Sequence, residues 1–218
     1  MMHFFDGGKN LLTITNIQTN FRRFVSRAPK KISVVICCLG LVCQASAENI
    51  WPYDPSPLYP FGAPNPAQTD PEARIFDPLI GVHTCTHERT DYESRKTTTA
   101  SGNWVWYYDM NGFGIRDYYR FNAGAPVSQR IYDPQKKQWH VWYFIGQGFY
   151  YAGEWIGGAD GDRLVLEKQN EKMGDRLVLS RLEFSDISDA GFKWRSINVD
   201  NETGEEFVDW EITCRREH

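Results

Sequence analysis

From Ile80 to the C-terminus, apolar and polar positions alternate in short runs rich in aromatic and β-branched side chains, and turn-forming residues break the runs at intervals. A period of two marks a strand with one face buried and one face solvated. The pattern predicts strands near 80–88, 102–110, 113–121, 126–132, 138–146, 149–156, 163–169, 176–185, 191–199 and 206–215. Asn111-Gly112 is the pair that a two-residue hairpin turn prefers, because both of its central residues take positive φ. Other breaks fall at Asp133-Pro134, Gly157-Gly158-Ala159-Asp160-Gly161, Asp189-Ala190-Gly191 and Asp200-Asn201-Glu202-Thr203-Gly204. No stretch after residue 78 carries a helical period. The expected fold is therefore all-β, a single antiparallel up-and-down barrel of about ten strands, since short sequential hairpins favour a meander over a Greek key.

The turn at Asn111-Gly112 sets a register. Trp104 faces Tyr119, Trp106 faces Asp117, Tyr108 faces Ile115, and Met110 faces Phe113, which makes one face aromatic except for a single carboxylate. The other face carries Asn103, Val105, Tyr107, Asp109, Arg116, Tyr118 and Arg120 and reads as solvated. With 134–137 as the next loop, Ile131 faces His140, Gln129 faces Trp142 and Val127 faces Phe144, which sets His140 beside Asp117 as a second ionisable group on an inward wall. Trp194 shares a face with Phe192, and Trp210 shares one with Val208, Ile212 and Cys214. A one-residue slip would exchange the two faces of any of these strands.

Ahead of the strands lies a different composition. Residues 1–31 hold six basic side chains and one acidic one, followed by the apolar run 32–43 and the exit Gln44-Ala45-Ser46-Ala47. A basic head, a short apolar centre and an Ala-x-Ala end form a secretory signal over 1–47, with cleavage expected before Glu48. The apolar run is shorter than the roughly 20 residues of a membrane span, so no stable membrane insertion is expected after cleavage. Residues 48–78 form a proline-rich arm that excludes a long helix or a central strand. Within it, Asp70-Pro71 is suited to start one short helical turn, and Trp51, Tyr53, Leu58, Tyr59 and Phe61 are candidates to pack on the domain that spans 79–218.

Removing 1–47 takes six basic and one acidic residue from totals of 24 and 28, which leaves a net charge of −9. Such a surface disfavours nucleic acid and anionic membranes as partners. Three of the five cysteines leave with the signal, and Cys85 and Cys214 remain. In an oxidising compartment they suggest one disulfide, provided that the first and last strands are neighbours; the alternative is two buried thiols.

Candidate chemistry is sparse. The sequence contains no Gly-x-Ser-x-Gly elbow, phosphate loop, dinucleotide fingerprint, His-Glu-x-x-His or paired Cys-x-x-Cys. His83, Cys85 and His87 alternate on one face, but on a strand rising about 3.3 Å per residue the two histidines stand about 13 Å apart and cannot share an ion. No metal site and no cofactor is expected. Arg116, Tyr118 and Arg120, with Arg130 nearby, read first as a solvated face and second as an anion site at a barrel mouth. Asn201-Glu202-Thr203 fits both a glycosylation acceptor and a plain turn.

Phe76-Asp77-Pro78-Leu79-Ile80-Gly81 leading into Cys85-Thr86-His87-Glu88-Arg89, with Tyr132-Asp133-Pro134, Trp139 and the late Trp210-Glu211-Ile212-Thr213-Cys214-Arg215, resembles the calycin or lipocalin-like superfamily, and more closely its uncharacterised exported bacterial members. The likeness covers roughly 74–216. It implies a closed barrel with a central cavity for a small apolar molecule. The leading expectation is a periplasmic or secreted carrier of a small apolar or aromatic ligand, with Trp106, Tyr108, Tyr119, Trp142, Phe144, Trp194 and Trp210 lining the cavity and Asp117 and His140 orienting a polar end. Two alternatives stand beside it. One is an isomerase, cyclase or hydratase that uses Asp117 and His140 as acid and base. The other is a protein-interaction module that uses the aromatic surface and the arm.

Overall fold

The computed structural model describes residues 52–121, 126–145 and 150–217. The expected signal segment and Trp51 lie outside them. All ten expected strands are present: β1 (Gly81–Thr90), β2 (Thr97–Asp109), β3 (Gly114–Arg120), β4 (Val127–Asp133), β5 (Gln138–Ile145), β6 (Tyr150–Asp160), β7 (Arg163–Met173), β8 (Arg176–Ser188), β9 (Gly191–Asp200) and β10 (Glu206–Arg216). Each pairs antiparallel with its neighbour in sequence, and β1 pairs with β10, so the sheet is a closed up-and-down barrel. Closure removes both sheet edges, which suits a strand-only fold.

The β2–β3 hairpin turns where the sequence predicts. Asn111 has φ 56° and Gly112 has φ 79°, and Phe113 N–H donates to the Met110 carbonyl at 3.2 Å. Glycine is needed at 112 on two counts: its φ is positive, and a Cβ there would stand 2.4 Å from the Ala63 carbonyl oxygen. The resulting register is the expected one, with Trp104 opposite Tyr119, Trp106 opposite Asp117 and Tyr108 opposite Ile115.

Closure brings Cys85 opposite Cys214, and the two form a disulfide across the β1–β10 seam. One inward assignment on β10 fails. A bulge between Val208 and Trp210 turns Val208 to the side opposite Trp210, so the two do not share a face.

The barrel end where β1 begins is plugged by the proline-rich arm. Asp70 caps a 3-10 turn over Pro71–Arg74, with Pro71 in its first turn, and a second such turn covers Asp77–Leu79. These turns carry Phe76 and Leu79 into the barrel, where both are fully buried. Phe76 meets Trp139 edge-on at 4.9 Å and Phe184 at 5.9 Å. Polar bonds fix the plug in place: Tyr132 Oη donates to Asp70 at 2.8 Å, Trp139 Nε1 donates to the Glu72 carbonyl at 2.8 Å, and Arg216 donates to the carbonyls of Pro78 and Ile80. The arm docks further back as well, where Tyr108 N–H donates to the Phe61 carbonyl at 2.9 Å and Asn65 N–H donates to the Gly112 carbonyl at 3.0 Å, while Leu58 and Tyr59 are exposed, which corrects the expectation that they pack.

His83 is inside this lower layer, with no exposed surface and its ring edge-on to Phe192 at 5.0 Å. Burial first, and the Arg216 charge second, lower its pKa to about 4. In the unfolded chain the imidazole titrates near 6.5, so below that pH the unfolded state binds a proton that the native state refuses. Stability is therefore expected to fall as pH drops from about 6.5 to 4, by up to roughly 3 kcal/mol. Urea melts of wild type and His83→Leu across this range should differ in slope. Parallel curves would show that His83 does not carry the effect.

Candidate functional site

Above the plug, between the plugged layer and the opposite barrel mouth, lies a cavity of about 120 Å³. Its walls are aromatic: Trp104 and Tyr119 from β2 and β3, Tyr143 and Trp155 from β5 and β6, and Trp194 and Trp210 from β9 and β10. The indoles of Trp104 and Trp194 meet edge-on at 5.9 Å, and those of Trp194 and Trp210 at 5.4 Å. Val141, Leu182 and Ile212 fill the gaps, and Ser128 and Ser196 add hydroxyls.

Two charged side chains, Asp117 and Arg130, line this cavity. Both are 3% exposed at the side chain and they form an ion pair. Asp117 also accepts a hydrogen bond from Trp104 Nε1 at 2.7 Å. The Arg130 guanidinium lies over the Trp106 ring at 4.2 Å and over Phe76 at 5.3 Å. Desolvation lowers its pKa to about 9, which leaves it cationic at neutral pH. Among the described residues, Arg130 Nε has no acceptor.

The expected lining residues divide into three groups. Asp117, Tyr119, Trp194 and Trp210 do line the cavity. Trp106 and Tyr108 point inward but lie nearer the plug, where burial raises the pKa of the Tyr108 phenol and keeps it un-ionised. His140, Trp142 and Phe144 lie on the outside of the barrel, which corrects the expectation that they face inward.

The reason is the β3–β4 pairing. Asp117 lies opposite Ser128 and Ile115 opposite Arg130, and cross-strand partners share a face. Ser128, Arg130 and Tyr132 therefore point inward, followed on β5 by Trp139, Val141 and Tyr143. The β4–β5 register itself is the expected one; its face is reversed. His140 Nδ1 lies 2.6 Å from Glu154 Oε1, its Nε2 lies 3.1 Å from Gln138 Nε2, and its ring stacks on Trp142. Asp117 and His140 are thus on opposite sides of the wall and do not act on one substrate.

Arg116 and Arg120 stay on the solvated face. The first pairs with Asp109 at 3.0 Å and the second lies over Tyr118 at 4.6 Å. Arg130 parts from them into the interior. Asn201-Glu202-Thr203 occupies a turn in which Asp200 accepts from the Glu202 and Thr203 amides, each at 2.9 Å. His87 Nδ1 lies 2.8 Å from Tyr119 Oη, away from His83.

Sequence reasoning passed over Tyr143, Trp155 and Asp209. Trp155 donates to Ser180 Oγ at 3.2 Å. Asp209 is the extra residue of the β10 bulge; it accepts from Asn198 Nδ2 at 3.1 Å, and burial raises its carboxyl pKa. A local structural break lies beside Trp155, whose ring Lys168 Nζ covers at 4.9 Å. The β6–β7 ladder runs from Asp160–Arg163 to Ile156–Glu167, and past it Lys168 Nζ donates to the Ala152 carbonyl at 2.7 Å. Gly153 has φ 140° there, a conformation that a side chain with a Cβ rarely adopts. A lysine thus bridges the two strands where their backbone pairing ends.

Compared with models of protein families and with curated proteins, the chain matches none.

Proposed function

We propose that this chain is an exported, calycin-like carrier that holds a small apolar or aromatic molecule inside its barrel. The observation that carries the reading is the cavity of about 120 Å³ walled by Trp104, Tyr119, Tyr143, Trp155, Trp194 and Trp210. A filled small barrel leaves no such space, whereas a slightly wider one accommodates a ligand. An engineered apolar cavity of about 150 Å³ takes up benzene, so this volume suits roughly one aromatic ring. Export is supported by the signal-like residues 1–47 and by the Cys85–Cys214 disulfide, a bond typical of oxidising compartments. Periplasm or the outside of the cell is the proposed location.

The reading is tested by native mass spectrometry of the mature protein purified from its own host, followed by denaturing extraction. A co-purifying small molecule released on unfolding is expected, together with its loss when Trp194→Ala widens and roughens the pocket. Protein of bare polypeptide mass, unable to take up any small aromatic compound, would exclude the carrier reading.

A further inference from the structure

The Asp117–Arg130 pair is unequal in hydrogen-bonding capacity. A guanidinium offers five N–H donors, whereas a carboxylate has two oxygens. Trp104 Nε1 occupies Asp117 Oδ1, and Arg130 Nη1 contacts Asp117 Oδ2. Arg130 Nε, among the described residues, has no acceptor. A buried donor without a partner costs free energy unless something supplies an acceptor, so each such group needs an explanation. Below the guanidinium are Trp106 and Phe76, which attract the cation through their faces and offer no oxygen.

The charge balance of the site restricts what can supply that acceptor. Asp117 and Arg130 neutralise each other, and the rest of the cavity lining is aromatic, aliphatic or hydroxyl. A ligand carboxylate would leave one net negative charge in this apolar space. A ligand ammonium would leave one positive charge and provide no acceptor. Either case is penalised by desolvation. A neutral oxygen gains a charge-assisted hydrogen bond and leaves the balance unchanged.

Resting on the carrier reading above, we infer that the ligand is an uncharged aromatic of about one ring bearing a hydrogen-bond-accepting oxygen, an aryl carbonyl in the simplest case, which docks on the Arg130 guanidinium at the floor of the cavity. The ring stands among Tyr119, Trp194 and Trp210, and the oxygen points down toward Arg130. Asp117 is the positioning residue: it holds the guanidinium in place and keeps the floor neutral.

Three probes separate the parts of this inference: benzaldehyde, styrene as its oxygen-free isostere, and benzoate as its anionic relative. Binding to the wild-type protein is read from shifts of the tryptophan indole N–H signals in NMR titrations at pH 7. Benzaldehyde is expected to bind about 10-fold or more tightly than styrene, the size expected for a hydrogen bond to a charged donor. Benzoate is expected to bind more weakly than benzaldehyde. In Asp117→Asn/Arg130→Met, which keeps an acceptor for Trp104 and removes both charges, the benzaldehyde preference should shrink to within about 3-fold of styrene. Equal binding of styrene and benzaldehyde to wild type would overturn the oxygen assignment and leave the apolar carrier standing. Tightest binding by benzoate would overturn the neutrality argument. If none of the three shifts any indole signal, the carrier reading falls and this inference falls with it.

Discussion

Asp117→Ala is expected to destabilise the folded protein by about 3–5 kcal/mol, the cost of leaving one member of a buried ion pair without its partner. The argument starts from burial. Both side chains are 3% exposed, so the Arg130 charge has lost its hydration and Asp117 supplies the opposite charge that compensates for it. Desolvation already lowers the pKa of Arg130 to about 9. Without the carboxylate, the guanidinium must either remain charged among Trp106, Phe76 and Trp104 or lose its proton, and both alternatives are costly. Trp104 Nε1 also loses its acceptor. The double variant Asp117→Asn/Arg130→Met should recover most of that loss, because a buried pair replaced as a whole is often close to neutral. Urea unfolding monitored by tryptophan fluorescence measures all three proteins. A double variant no more stable than Asp117→Ala would show that the pair contributes net stability of its own, and would remove the argument that it is kept for binding.

That pair also marks the limit of what was legible in the sequence. The strands, their order and the registers of the β2–β3 and β4–β5 hairpins were readable because each rests on local chemistry: Asn111-Gly112 for one turn, Asp133-Pro134 for the other, and strict alternation between them. The face of β4 and β5 was not. On β5, Trp139, Val141 and Tyr143 alternate with His140, Trp142 and Phe144, so both faces are equally aromatic and period two cannot choose between them. On β4, Ile131 and Val127 argue for one face while Tyr132 argues for the other. What decides is non-local. Asp117 on β3 needs a buried cation, and among the side chains of β4 only Arg130 can supply it. A charge-pairing argument across β3 and β4 was the available signal, and apolar pattern alone outweighed it in the wrong direction.

The same contrast explains Trp210 and Val208. Their spacing implies a shared face, and the bulge at Asp209 breaks it. Asp209 accepts from Asn198 Nδ2 and so has a partner that no residue near it in sequence announces. The plug was hidden in another way. Proline density excludes long elements over 48–78 but does not say which side chains pack: Leu58 and Tyr59, candidates for packing, stay exposed. Phe76 and Leu79 are set apart from Leu58 and Tyr59 only by where the barrel end is open, which is a property of the closed sheet.

Removing the disulfide, by Cys85→Ala with Cys214→Ala, is expected to cost about 3–5 kcal/mol, comparable to breaking the ion pair. The bond closes a loop with a sequence separation of 129, so in the chain-entropy model it withdraws much of the freedom of the unfolded state. Its position adds a second effect. In an up-and-down barrel every ladder except one joins strands adjacent in sequence, and β1–β10 is the exception. That ladder has the largest closure cost and forms without help from a short turn. Cys85 and Cys214 sit in the middle of it, facing inward and buried, at 1% and 3% exposure. The double alanine variant should therefore fold more slowly as well as unfold more easily, and hydrogen exchange should rise first in β1 and β10. Urea melts and amide exchange of the two proteins provide the measurement. A variant that loses stability evenly across all ten strands would assign the disulfide a purely entropic role, whereas opening confined to β1 and β10 identifies it as the clasp of the barrel.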